Sequence, residues 1–122
     1  MQPRVRNNSK KDFNLYPFVL YVLECNIPTD IKYYVGITTD FPTRFNAHKT
    51  GTGSSFTKKY KVLAVIHKQN LGICTWSTAE TLENYKVLEL ATKYGYENVA
   101  GGSYKKKGQL EKAVKNNSNP YK

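Results

Sequence analysis

Tyr21 and Tyr34 stand in two neighbouring strand-like runs, Val19-Leu20-Tyr21-Val22-Leu23 and Tyr33-Tyr34-Val35-Gly36. Arg44 follows, then His48 one helical turn later. Two phenols on adjacent strands, with an arginine and a histidine on the next helix, would converge on a phosphate rather than spread over a surface. Arginine's planar fork matches phosphoryl oxygens, and a phenol or an imidazole can take a proton from an attacking water. Farther along, Ala79, Glu83, Val87, Leu90 and Tyr94 recur at helical spacing and share one stripe. Glu83 therefore lies inside an apolar face. An ionised carboxylate there is expensive unless it is paired, hydrogen-bonded or bound to a metal. A hard divalent cation such as Mg²⁺ suits it, and a buried ion pair with a core-edge lysine or arginine is the structural alternative.

Residues 17 to 25 and 31 to 37 are β-rich runs separated by Asn26-Ile27-Pro28-Thr29-Asp30, which predicts an antiparallel hairpin. A short helix follows, capped by Thr39 or Asp40, with Pro42 in its first turn and Gly51 at its end. Arg44 and His48 ride on it, and leave directly from the second tyrosine-bearing strand. Gly51-Thr52-Gly53-Ser54-Ser55 is expected as a flexible connection to a third strand over Val62 to His67. Ser77 with Glu80 has the form of a capping box for the longest helix, which runs from Ala79 to Tyr94 and stops at Gly95. That role explains Glu80 without catalysis, and Glu89 projects to the opposite side from Glu83.

At 122 residues the chain fits one domain with one core. Nineteen Lys and Arg against nine Asp and Glu leave a formal net charge of +10, which favours a polyanionic partner, nucleic acid first. No run approaches the roughly 20 apolar residues of a spanning helix, and Met1-Gln2-Pro3-Arg4-Val5-Arg6 is unlike a secretory signal, so an intracellular protein without a membrane partner is expected. Cys25 and Cys74 are too few and too far apart for a zinc pattern or a disulfide framework. Residues 1 to 14 form a basic N-terminal arm, 15 to 104 the domain, and 105 to 122 a basic tail in which Gln109 to Lys115 form a short helix.

Taken in order, Tyr21, Tyr34-Val35-Gly36, Arg44, His48 and Glu83 resemble the GIY-YIG nuclease family. The first motif stands as Val19-Leu20-Tyr21, with valine in place of its glycine, and Asn98-Val99-Ala100-Gly101-Gly102 is similar to the ending of some members, with Ala100 where an arginine would stand. The resemblance covers residues 17 to 104. It implies an α/β domain, a three-stranded antiparallel sheet flanked by helices, that hydrolyses DNA phosphodiester bonds with one divalent metal, Mg²⁺ or Mn²⁺, held by Glu83. Arg44 would neutralise charge on the phosphoryl oxygens, and Tyr34 would orient the water or the phosphate. Tyr21 would take the water's proton. A phenol with a reference pKa of about 10 is a poor base at neutral pH, so it needs a neighbouring cation or the metal's field. His48 is the obvious helper, or the base itself.

Lys49, Lys58, Lys59 and the run Lys105, Lys106 and Lys107 are candidates for backbone phosphate contacts, which carry affinity but no sequence information, and Asn98 for a phosphate or metal-water hydrogen bond. With no appended reading module, a structure-selective or weakly specific nuclease is expected, acting alone or as a homodimer on the substrate. The competing class is a non-catalytic nucleic-acid-binding module with the same fold and charge.

Overall fold

The computed structural model describes residues 13–27, 30–104 and 108–116. Strands β1 (Tyr16–Ile27) and β2 (Asp30–Thr38) form the expected hairpin, antiparallel, with Tyr21 opposite Gly36 and Leu23 opposite Tyr34. Helix α1 (Phe41–Lys49) starts directly after β2. Asp40 caps it, its Oδ1 accepting from the Thr43 amide at 3.3 Å, and Pro42 sits in the first turn, where no amide donor is required.

Two elements depart from the sequence reading in this region. The glycine-rich connection ends in a helical turn, α2 (Ser55–Lys59), capped by the Ser54 hydroxyl. Strand β3 (Lys61–Cys74) is about twice as long as expected, because it pairs antiparallel along nearly all of β1. Its polar stretch Lys68-Gln69-Asn70 hides the strand from a hydrophobic pattern. That stretch belongs to the exposed side of an edge strand, where only the ladder to β1 requires extension.

Helix α3 (Trp76–Tyr94) is the longest. Its cap is Thr75, whose hydroxyl accepts from the Thr78 amide at 3.2 Å, so the expected Ser77–Glu80 capping box does not form. Ser77 already lies inside the helix, which begins immediately off β3, and Glu80 instead accepts a hydrogen bond from the Ser103 hydroxyl at 2.9 Å.

Among the described residues the sheet has four strands in the order β3-β1-β2-β4, not three. After a 3₁₀ turn at Tyr96–Asn98, the short β4 (Val99–Gly101) pairs in parallel with β2 at Tyr33 to Val35, making the sheet mixed. Three residues are too few to show a period. The strand exists because α3 returns the chain to the open edge of β2. Gly101 allows that approach: with φ at +138°, any side chain would be strained and would collide with the Val35 carbonyl. Helix α4 (Gln109–Lys115) forms as expected, and its Leu110 is buried in the domain core, so packing continues beyond residue 104.

Alternation along β1 divides the interior in two. Leu20 and Val22 face α3 with Val35, Val87, Leu88, Ala91, Val99 and Leu110. Tyr21, Leu23 and Cys25 face α1 and α2 and meet Tyr34, Phe41, Phe45, Phe56 and Tyr60. Tyr33 and Tyr34 separate as their adjacency requires: Tyr33 stacks on Tyr94 of α3, and Tyr34 lies against Phe56 of α2.

Candidate active site

Tyr21 and Tyr34 project from β1 and β2 on the α1/α2 face, with ring centroids 6.4 Å apart. Gly36, directly across from Tyr21, has a local reason to be glycine. The Tyr21 phenol lies over it, and a β-carbon there would run into the hydroxyl. Helix α1 then brings His48 against both rings, 4.8 Å from the Tyr34 centroid. The imidazole fits because Gly53 presents no side chain to it.

Tyr21 Oη and His48 Nε2 are 2.8 Å apart, and His48 Nδ1 is 2.9 Å from Thr57 Oγ1 of α2. Tyr21 and His48 are each only 1% exposed, so the bond between them is sealed from water. Thr57 Oγ1 is in turn 2.9 Å from Ser54 Oγ. Arg44 extends its guanidinium to the hydroxyls of both Tyr21 and Tyr34. The residues whose order suggests a phosphate site therefore do converge, and α2 adds two hydroxyls that the sequence reading does not single out. Ser54 followed by Thr57, a capping spacing, is the signal that points to them.

The electrostatics differ from expectation in one respect. To act as a base at neutral pH Tyr21 needs a neighbouring cation or a metal's field to lower its pKa, whereas the protein's own groups together raise it. Burial dominates, the neighbouring Tyr34 adds to it, and Arg44 opposes without prevailing. Tyr34 is raised as well, by burial, with Arg44 pulling the other way. Both are neutral phenols at neutral pH. Burial first, and then the Arg44 charge, push His48 down to about 4, so it is a neutral imidazole able to accept a proton and not a cation. Burial lowers the pKa of Arg44, but its contacts with the two phenol oxygens outweigh that and raise it.

Glu83 lies on the buried stripe of α3 with Ala79, Val87 and Leu90, as its spacing predicts, and is 8% exposed. Its negative charge raises the pKa of both Tyr21 and Tyr34, which places the carboxylate in the electrostatic reach of the cluster. Among the described residues no group of three or more His, Cys, Asp or Glu side chains gathers to hold an ion. Glu83 is the carboxylate of this cluster that could offer an oxygen to a divalent cation.

The remaining candidates are peripheral. Lys49, Lys58 and Lys59 are exposed on α1 and α2, with Lys49 over the Phe45 ring and Lys59 over the Tyr60 ring. Asn98 is engaged elsewhere: its amide donates to the Tyr94 carbonyl at 2.8 Å and its carbonyl oxygen accepts from Lys32 Nζ at 2.8 Å, which secures the end of α3. Lys105, Lys106 and Lys107 and the first twelve residues of the basic arm lie outside the described residues. Cys25 is buried, with its thiol pushed up to about 11 chiefly by that burial. No helix among the described residues is long and apolar enough to cross a membrane.

A UPF0213 protein of Cupriavidus pinatubonensis is 39% identical over 74 residues, covering 61% of this chain and 70% of that protein. A UPF0213 protein of Streptococcus agalactiae is 45% identical over 42 residues, covering 34% and 44%. One of Xanthomonas campestris is 42% identical over 50 residues, covering 41% and 46%, so the chain spans less than half of these last two relatives. No solved structure matches. The GIY-YIG catalytic domain, a nuclease domain, matches residues 17–122, nearly the whole chain, and the chain belongs to that family.

Proposed function

We propose that this protein is a metal-dependent endonuclease that hydrolyses DNA phosphodiester bonds, with weak sequence preference or selectivity for DNA structure. The observation that carries this reading is one polar cluster, buried Tyr21 and His48 with half-buried Tyr34 and Arg44, and the charge of Glu83 upon it. A fold kept only for binding has no use for an arginine held between two phenols and a histidine sealed beneath them.

Glu83 fits a Mg²⁺ or Mn²⁺ site as a single hard oxygen donor, because Mg²⁺ commonly keeps several waters and takes only one or two carboxylates beside substrate phosphate. When bound there, the ion would polarise the scissile phosphate and stabilise the departing oxygen. The chain's own residues do the rest. Arg44 transfers its guanidinium from the phenols to the phosphoryl oxygens, where its fork matches the developing charge. That movement uncovers the Tyr21 oxygen, whose hydrogen remains directed at His48 Nε2. Tyr21 then accepts the proton of the attacking water while passing its own to His48. His48 itself has both nitrogens occupied, so it serves behind Tyr21 rather than touching water. Tyr34, the more exposed phenol, orients the water or the phosphate. Exposed Lys49, Lys58 and Lys59 and the net charge of +10 attract the polyanion.

Incubation with supercoiled plasmid and with branched and single-stranded oligonucleotides in Mg²⁺, Mn²⁺ or EDTA tests the reading, with Glu83→Ala alongside. Cutting that needs metal and that the variant lacks is the expected result. Retained binding without cutting on every substrate would replace the enzyme by a binding module.

A further inference from the structure

Family resemblance puts functional weight on Tyr21, Tyr34, Arg44, His48 and Glu83, but the hydrogen bonds continue past them into α2. From Tyr21 Oη the chain of contacts runs to His48 Nε2 at 2.8 Å, from His48 Nδ1 to Thr57 Oγ1 at 2.9 Å, and from Thr57 Oγ1 to Ser54 Oγ at 2.9 Å. Ser54 then turns its hydroxyl to Tyr34, where it favours the charged phenolate. The two tyrosines are thus joined by a relay through α2, and Arg44 closes the ring by touching both.

The direction of this relay follows from what each group can donate. Arginine has donors and no acceptor, so the Tyr21 proton cannot point to Arg44 and goes to His48 Nε2. That nitrogen must be bare, which leaves the imidazole proton on Nδ1. Nδ1–H donates to Thr57 Oγ1, and the Thr57 proton has its own acceptors in Ser54, the hydroxyl at 2.9 Å and the carbonyl at 3.4 Å. Reversing the chain would aim Nε2–H and Arg44 together at the Tyr21 oxygen and strand the phenol proton in a site 1% exposed.

We propose that Thr57, held by Ser54, is a positioning residue that locks His48 in its Nδ1–H tautomer and thereby turns the hydrogen of Tyr21 inward and its lone pairs towards Arg44 and the cleft. This rests on the nuclease reading for its consequence, but not for its observation. Several local features support the same task. Thr57 is buried to 2% exposure although it is a hydroxyl residue on a one-turn helix, its amide is bonded to Ser54 Oγ at 3.1 Å, and its hydroxyl is held by the Ser54 hydroxyl at 2.9 Å. Gly53, with no side chain, leaves room for the imidazole to lie with Nδ1 at Thr57. A histidine in water prefers its proton on Nε2, so the lock opposes the ordinary tautomer and its signature is distinctive.

Long-range ¹H–¹⁵N correlation of the His48 ring at neutral pH reads the tautomer directly in the whole protein without substrate or metal. The expected pattern has a protonated Nδ1 and a bare Nε2 in the parent and in Thr57→Ser, and a shift towards Nε2–H in Thr57→Val, which keeps the shape and removes the hydroxyl. A parent ring carrying its proton on Nε2 overturns the proposal, as does a Thr57→Val ring that keeps the parent pattern. If Thr57→Val does not fold, Thr57→Ala takes its place, since it too removes the hydroxyl that accepts from His48 Nδ1; an unchanged ring there also overturns it. In the plasmid assay kcat is expected to fall at least tenfold in Thr57→Val with KM unchanged, and to recover in Thr57→Ser. A parent that cuts nothing would sink the nuclease reading while the ring nitrogens still decide the lock.

Discussion

The two faces of the sheet are built from opposite materials. Towards α3 the strands present Leu20, Val22 and Val35 to Val87, Leu88 and Ala91, an aliphatic contact in which position is set by shape alone. Towards α1 and α2 they present Tyr21 and Tyr34 to Phe41, Phe56 and Tyr60, with His48 and Thr57 buried among them. The first face gains stability by excluding water and asks little of its individual residues beyond volume. The second satisfies each buried polar atom with a specific partner, so that a single hydroxyl decides the hydrogen-bonding direction of the next. Glu83 crosses this division, standing on the aliphatic stripe of α3 while its charge acts on the tyrosines. The contrast separates the residues that hold the protein together from those that are arranged to react.

Substitutions on the two faces should therefore fail in different ways. The largest effect expected is on rate. Tyr21→Phe removes the hydroxyl between water and His48, and cleavage should fall on the order of 10²–10⁴-fold, the span of a general-base contribution, while circular dichroism stays native. Equal loss from Leu20→Ala in molecules that remain folded would erase the distinction between faces. Leu20→Ala should instead cost about 2–5 kcal/mol in denaturant unfolding, from the forfeited transfer energy and the cavity left against α3, with the rate per folded molecule preserved.

A smaller effect, and one confined to the polar face, is the response to acid. His48 has a folded pKa lowered to about 4 from its ordinary value of 6.5, so between those values the unfolded chain binds a proton that the native protein refuses. Stability from this group is whole above pH 6.5 and declines as pH falls towards 4. Melting temperatures measured across that window should drop in the parent and drop less in His48→Gln. Equal slopes would mean that the imidazole is not buried neutral. The smallest effects belong to the exposed lysines. Lys58→Ala or Lys59→Ala should weaken DNA binding uniformly across sequences and reduce the salt slope by about one unit for each phosphate no longer neutralised, as read in titrations at several salt concentrations.

Helix α1 is readable at almost every position, since Asp40, Pro42 and Gly51 are local signals that act within a turn of where they stand. The hairpin is readable for the same reason, and the α3 stripe places Glu83 correctly because a period needs no tertiary information. Strand β4 is not readable, nor the full extent of β3, because a strand is completed by hydrogen bonds to a neighbour that sequence distance conceals. The relay through Ser54 and Thr57 is hidden in the same manner. Their spacing marks a helix cap, but nothing local says that the helix lies under a histidine nine residues earlier.

By itself the order of residues determined the family, the hairpin, the helix that carries Arg44 and His48, and the face of α3 on which Glu83 stands. Each of these depends on groups within a few turns of one another. Only the tertiary structure decided the protonation of the cluster. Burial keeps Tyr21 a neutral phenol against the pull of Arg44, and burial together with Arg44 keeps His48 a neutral imidazole, because the loss of water around a group depends on every element packed over it and on no single position in the chain.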